Sequence, residues 1–343
     1  MKIVHAVYSD RKGGLEQAFI NVTKMLIELG HDVELWVPSK ADFIDELKDS
    51  CNVIDLTNHG YFHLSALFRQ RLALKKASPD LIITHNSRAT SLLAKIKIGM
   101  DVPLLAFSHG YKTHRFKKAD HLVVLTEKMK NHFISANYSP SNISIFPNVI
   151  EKLPRLTEVK KINKKDVICL GFVGRFFHEK GLDDLLHAIH ILRDEYVFQL
   201  NIAGDGDDLS EIEEYAKELG IFHLLHFSGW VSDLQDWLTS IDLLVIPSRV
   251  EAFGIVILEA SAYGCPVVTT DADGPASQVT HGVDGWIAKR NSPESLANEI
   301  RNALSHSDLW PEVIASAYQR ANKYTFKESI PKLKLILDNF RVD

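Results

Sequence analysis

Two glutamates eight positions apart, Glu251 and Glu259, bracket the dipeptide Phe253-Gly254 in the run I-D-L-L-V-I-P-S-R-V-E-A-F-G-I-V-I-L-E-A-S-A-Y-G over 241–264. The apolar stretch 243–246 reads as a buried strand. It breaks at Pro247-Ser248, passes a loop carrying Glu251 and enters a helix near 253–254. Such a turn leaves the backbone N–H groups of Phe253, Gly254 and Ile255 at the positive end of a helix dipole, which suits a phosphate or another anion. Glu259 follows roughly 7–8 Å further along the axis, at about 1.5 Å per residue. Its helical neighbours are Ile255, Val256, Ala262 and Tyr263, so its carboxylate lies on a buried face. A buried charge needs a polar partner. Either a backbone group or an arginine supplies it, or the carboxylate accepts from both hydroxyls of a ribose whose diphosphate sits at the helix mouth.

Other residues fit the same chemistry. In G-F-V-G-R-F-F-H-E-K-G (171–181), Arg175 and Lys180 follow an apolar strand in a loop leading into a helix. Two cations at a strand's carboxyl end suit a diphosphate, unless they are simply a solvated pair. Gly13-Gly14, in R-K-G-G-L-E-Q (11–17), lets backbone N–H groups approach an anion or a sugar, or merely makes a turn. His109 ends the run L-L-A-F-S-H-G-Y, at the mouth of a strand; His85 and Asn86 are similarly placed after L-I-I-T. Asp205-Gly206-Asp207 reads as a turn after a strand, and Asp271-Ala272-Asp273 is a second D-x-D string. No H-E-x-x-H or C-x-x-C pattern marks a zinc site.

The elements that must position these groups follow an α/β grammar. A strand at 2–8, a Gly-Gly loop, a helix over 15–29 ending at Gly30 and a strand at 33–37 open a doubly wound sheet. Strands follow at 52–56, 81–84, 103–107, 121–125 and 143–146, with helices over 62–77, 88–98 and 127–136. The charged, aperiodic segment 151–166 reads as a linker. The grammar then restarts with strands at 167–173, 197–203, 224–227, 243–247 and 266–269. Helices are expected over 181–193, 208–219, 233–240 and 254–263, then from about 293, with a last one over 326–340. This gives domains over 1–150 and 167–325.

Glu251 and Glu259 around Phe253-Gly254 resemble the E-x7-E signature of the retaining glycosyltransferases of family 4, and the string over 171–181 resembles their G-R-x-x-x-x-K-G motif. The resemblance spans essentially the whole chain and is strongest over 171–290. It implies the GT-B fold: two Rossmann-like domains facing across a cleft, with the final helix (326–343) packing back on the first. It implies transfer of a hexose or N-acetylhexosamine from a nucleotide sugar, such as a UDP-sugar, to a glycan or lipid-linked acceptor, in lipopolysaccharide or another envelope polysaccharide pathway. Catalytic roles then fall to Arg175, Lys180, Glu251 and His109. Donor binding falls to Gly14, Phe253, Gly254, Ile255 and Glu259, and acceptor binding to Gly13, Glu16 and Gln17. With two cations and a helix terminus facing the leaving phosphate, neither a metal nor another cofactor is expected. A nucleotide-sugar epimerase, a glycogen-type synthase or a sugar-nucleotide-binding protein without turnover are the alternatives. Two departures stand out: Pro147-Asn148-Val149 lacks the glycine often found after that asparagine, and Ser277-Gln278 stand where an acidic residue is common.

Composition bounds the partners. With 343 residues and 45% hydrophobic content, the chain can fill two cores, and no apolar run approaches a membrane span. The N-terminus reads directly as a strand rather than an export signal, which disfavours a periplasmic binding protein. No G-x-G-x-x-G follows a strand, which disfavours a dehydrogenase. Three scattered cysteines suggest reduced thiols and a cytoplasmic protein. Residues 1–150 hold 19 Lys+Arg against 14 Asp+Glu, while 151–343 hold 20 against 30. The basic half offers K-T-H-R-F-K-K (112–118) and the helix 62–77 with Arg69, Arg71, Lys75 and Lys76. That helix is either a solvated one whose apolar side is core, or a dock for anionic lipid or a phosphorylated lipid-linked glycan, placing the protein peripherally on the membrane. Nucleic acid is not an expected partner, since net charge is negative and no aromatic platform motif occurs.

Overall fold

The structure, a computed structural model, describes residues 1–57, 64–156, 167–231 and 233–340. The chain divides into two compact units, Met1–Glu151 together with the segment from Phe326, and Lys152–Thr325. Most of the expected linker, 157–166, lies outside the described residues.

In the first unit the strands are β1 (Lys2–Val7), β2 (Asp32–Val37), β3 (Asn52–Asp55), β4 (Leu81–His85), β5 (Leu104–Phe107), β6 (His121–Val124) and β7 (Ile143–Ile145). Among the described residues they form one parallel sheet in the order β3-β2-β1-β4-β5-β6-β7. The helices are α1 (Gly14–Glu28), α2 (Leu64–Ala77), α3 (Ser87–Ile96) and α4 (Glu127–Ser135). Strands covered on both faces must be apolar throughout, and β1, β4 and β5 are buried at nearly every position.

The second unit carries β8 (Ile168–Val173), β9 (Phe198–Ala203), β10 (Leu225–Gly229), β11 (Leu243–Ile246), β12 (Val267–Thr270) and β13 (Trp286–Ala288). These run parallel in the order β10-β9-β8-β11-β12-β13. Its helices are α5 (Leu182–Leu192), α6 (Leu209–Glu218), α7 (Leu234–Ser240), α8 (Ile255–Ala262), α9 (Asp273–Gln278), α10 (Pro293–Ser305) and α11 (Trp310–Asn322). The strand order reverses between β8 and β11. A doubly wound sheet opens its crevice at that point, outside the strands' carboxyl ends. The loops leaving these two strands carry Arg175, Lys180 and Glu251.

The final helix, α12 (Phe326–Asp338), belongs to the first unit. Leu333, Ile336 and Leu337 are buried in that unit's core, and the Phe326 N–H donates to the Ile150 carbonyl at 3.1 Å. The sequence reading missed α9, β13 and α11. α9 contains Gly274-Pro275, a turn signal in isolation, which the helix tolerates because proline in a first turn gives up an N–H that has no helical acceptor anyway. None of the three cysteines forms a disulfide among the described residues, and no helix of those residues is long and apolar enough to cross a membrane.

Candidate functional site

In the second unit the loops after β8 and β11 are tied together. Arg249 and Val250 donate their backbone N–H groups to the Glu179 carbonyl at 2.8 and 3.2 Å. The Arg249 guanidinium holds both carboxylate oxygens of Asp183, at 2.8 and 2.7 Å, and reaches Asp184 at 2.7 Å in the first turn of α5. Between the loops, Gly181 adopts a φ of 66°, and any side chain there would collide with the Pro247 carbonyl. Arg249 was not anticipated from sequence: an arginine in a loop carries no signal of the carboxylates it will meet.

This scaffold brings Lys180 to Glu251, with Nζ 2.6 Å from Oε2. The other oxygen of Glu251 accepts weakly from the Phe253 N–H, at 3.4 Å. Asp205, in the glycine turn beside the β8 loop, accepts from the Gly206 N–H at 2.8 Å, which accounts for the Asp205-Gly206-Asp207 string as local structure.

Gly254 caps α8 with a φ of 84°, a left-handed conformation that glycine adopts without penalty. The N–H groups of Gly254 and Ile255 have no acceptor among the described residues. The opposite side of the turn is occupied. Gln278 of α9 donates its side-chain amide to the Phe253 carbonyl and, at 3.4 Å, to that of Gly254, while the Gly274 N–H donates to the Glu251 carbonyl at 2.9 Å. With the carbonyls engaged by α9, the donors are left for the crevice. Sequence reading noticed Gln278 only as a departure from the family; the structure makes it a support of the helix mouth.

Glu259 lies on α8, half-buried, and makes no hydrogen bond or ion pair among the described residues. Burial pushes its carboxyl up to about 7. The arginine that approaches α8, Arg320, goes to Ser261 at 3.1 Å and to Asp284 at 2.5 Å. So the polar partner that a carboxylate on this face requires is not supplied by the described protein.

In the first unit, Gly13 and Gly14 begin α1, and the Gly13 carbonyl accepts from the Gln17 N–H at 2.9 Å. Glu16 is buried and accepts from the Ser9 hydroxyl, so it braces the loop before α1. The Gln17 amide donates along the helix to Asn21 at 3.0 Å. Both side chains expected to face an acceptor are thus engaged within the fold, and an acceptor hydroxyl would have to displace these bonds. Gly13 and Gly14 remain on the surface as backbone donors.

His109, half-buried after β5, meets His85 of β4, with Nε2 2.9 Å from Nδ1. His85 is fully buried and stacks on Phe107 at 4.6 Å and on His109 at 5.0 Å. Its Nε2 has no partner among the described residues. A buried N–H without an acceptor is the rarest kind of orphan, so the proton belongs on His85 Nδ1, and His109 accepts at Nε2. His109 is then left with its own proton on Nδ1. Burial drives the His109 pKa down to about 4, and that of His85 well below the ordinary histidine range. Asn86, with a φ of 70°, caps α3 by accepting from the Ala89 N–H at 2.9 Å and donates to the Tyr8 carbonyl at 3.1 Å, which is structural work.

The profile described as "Glycosyl transferases group 1" matches residues 154–324, and that described as "Glycosyltransferase Family 4" matches 12–152. The chain belongs to glycosyltransferase family 4. Among its relatives, the lipopolysaccharide core biosynthesis glycosyltransferase LpsE of Rhizobium meliloti is 24% identical over 317 residues, covering 90% of either chain. A lipopolysaccharide 1,6-galactosyltransferase of Salmonella typhimurium is 25% identical, covering 71% of this chain and 72% of its own. The fold is GT-B. It superposes on Anabaena HepE in complex with UDP-glucose with a TM-score of 0.87 at 20% identity, over 99% of this glycosyltransferase and all of HepE. The apo outer-core galactosyltransferase WaaB matches with a TM-score of 0.79 at 20% identity, over 99% of both chains.

Proposed function

We propose that this glycosyltransferase moves a hexose or N-acetylhexosamine from a UDP-sugar, with retention at the anomeric carbon, to a glycan or lipid-linked acceptor of an envelope polysaccharide. It works at the cytoplasmic face of the membrane, and no metal is needed. The observation that carries the reading is Glu259, a carboxylate with no hydrogen-bond or ion-pair partner among the described residues, a little over one turn beyond the two N–H donors of the helix mouth. A nucleoside diphosphate sugar supplies what both lack: oxygens for the donors and a ribose diol for the carboxylate. The relatives named for lipopolysaccharide synthesis and the neighbour bound to UDP-glucose support the pathway and the donor.

In this reading Glu251 holds the sugar's hydroxyls and Lys180 turns toward the diphosphate when the donor arrives. Arg175, Lys180 and the N–H groups of Gly254 and Ile255 stabilise the charge that grows on the departing phosphate. That phosphate takes the acceptor's proton while the acceptor attacks from the same face, so no carboxylate nucleophile is required. His109 presents its Nδ1–H as a neutral donor. The cations do the work a divalent metal does elsewhere.

The test is transfer from UDP-, GDP- and ADP-sugars to a deacylated core oligosaccharide in the presence of EDTA, with the product's anomeric configuration read by NMR. The expected result is an axial product from a UDP-donor, and a loss of about 10²-fold in turnover for Arg175→Ala. An inverted product, loss of activity in EDTA, or unchanged turnover in Arg175→Ala would overturn the corresponding part. Isomerised donor without transfer would instead identify an epimerase.

A further inference from the structure

Three large apolar side chains of α2 face away from the core that its other apolar residues join. Its buried positions are Ala66, Gln70, Leu74 and Ala77. Leu64, Phe68 and Leu72, spaced by four, form an outward stripe with 77, 64 and 51% of their surface exposed. The stripe spans roughly 12 Å at about 1.5 Å per residue. Arg71 donates to the Ile96 carbonyl at 2.5 Å and so holds against α2 the turn that carries Ile98, itself 66% exposed. Arg69, Lys75 and Lys76 share the exposed face, and the chain has no acidic residue from 56 to 79.

We propose that this face of α2 docks on an anionic phospholipid bilayer, with Leu64, Phe68 and Leu72 in the interface and Arg69, Lys75 and Lys76 against the headgroups. The shape is convex, with three large side chains standing out singly. A protein partner would have to offer a matching groove, whereas a bilayer accommodates protruding side chains at no cost in complementarity. Helices that lie in a membrane interface combine such an apolar stripe with flanking cations. Asp55 lies near Arg69, but Lys75 and Lys76 carry the face's excess positive charge toward an anionic headgroup, and each lysine near such a surface adds measurably to binding. This docking is independent of the chemistry proposed above, and concerns only where the first unit rests.

Flotation of the whole protein with vesicles of phosphatidylcholine, alone or mixed with phosphatidylglycerol, at low and high salt, tests it. The wild type is expected to float with the mixed vesicles and to be released by salt. Phe68→Ser with Leu72→Ser should cut the bound fraction about tenfold or more, and Lys75→Gln with Lys76→Gln should abolish the preference for phosphatidylglycerol. Both variants should keep the wild-type melting temperature and the turnover with a soluble acceptor. That separates failed docking from a failed catalyst. Absence of wild-type flotation, or equal flotation of Phe68→Ser/Leu72→Ser, would overturn the proposal. So would sedimentation showing a dimer that this variant dissolves, because the face would then lie between two copies of the chain.

Discussion

Lys180 Nζ lies 2.6 Å from Glu251 Oε2, joining loops 71 residues apart in sequence. The pair is partly exposed, 29% for the lysine side chain and 17% for the glutamate, so its Coulombic gain is screened by water. Such pairs contribute about 1 kcal/mol or less to stability. The chemistry proposed for the same two residues is far more demanding.

Lys180→Ala is therefore expected to change the melting temperature by only a few degrees, while turnover falls about 10²-fold. Glu251→Gln should do the same. The double variant should lose less than the product of the two single losses, since each residue positions the other. Steady-state kinetics and thermal melts of the three variants check this. Strictly additive losses would mean that the ion pair is incidental to the reaction.

The legible part of this site was the part written in local periodicity. Apolar runs gave the strands, and the spacing of Glu259 among Ile255, Val256, Ala262 and Tyr263 placed its carboxylate on a covered face. What stayed hidden depends on contacts between distant segments. Gln278 grips carbonyls some 25 residues away, and Arg249 clamps carboxylates 66 residues away. α2 shows a different limit. The sequence suggested a helix over 62–77 with an apolar side and four cations, but not which residues the sheet would take; it took Ala66, Gln70, Leu74 and Ala77. Two alanines on the buried face let the helix approach closely around Leu74, and a stripe of larger side chains can stay outside.

Glu259 couples the site to stability. Its carboxyl titrates near 7 in the fold, against about 4.5 when unfolded. The folded chain binds this proton more tightly, so stability falls as pH rises from 4.5 to 7, and the full penalty is present above 7. Glu259→Gln removes it. Because the carboxylate is only half-buried, the variant is expected to gain on the order of 1–2 kcal/mol at pH 8, and the gain should vanish near pH 5. The same substitution should weaken UDP binding at both pH values by removing the ribose acceptor. Thermal melts at pH 5 and 8, with and without UDP, measure both effects. A variant no more stable than the wild type at pH 8 would show that water already solvates the carboxylate.

The histidines of the first unit should make it acid-sensitive. His5, fully buried, has Nδ1 2.9 Å from the Thr23 hydroxyl, which itself donates to the Phe19 carbonyl at 2.9 Å; the histidine must therefore carry its proton on Nδ1. Burial lowers its pKa to about 3, alongside His109 at about 4 and His85 below the ordinary range. All three are folded as neutral rings, while the unfolded chain takes up protons near 6.5. Their contribution is fully present above pH 6.5 and is lost progressively as pH falls toward 4 and below. Denaturant unfolding of the wild type should lose stability steeply across that window. His85→Phe, which keeps the stack on Phe107 but cannot be protonated, should flatten the slope. In the same variant His109 loses the donor that fixes its tautomer. Nitrogen-15 NMR should show His109 protonated on Nδ1 in the wild type and divided between both nitrogens in His85→Phe. A wild-type His109 protonated on Nε2 would reverse the assignment: His85 Nδ1 would then be the acceptor, and its buried Nε2–H would need a partner that the described residues do not provide.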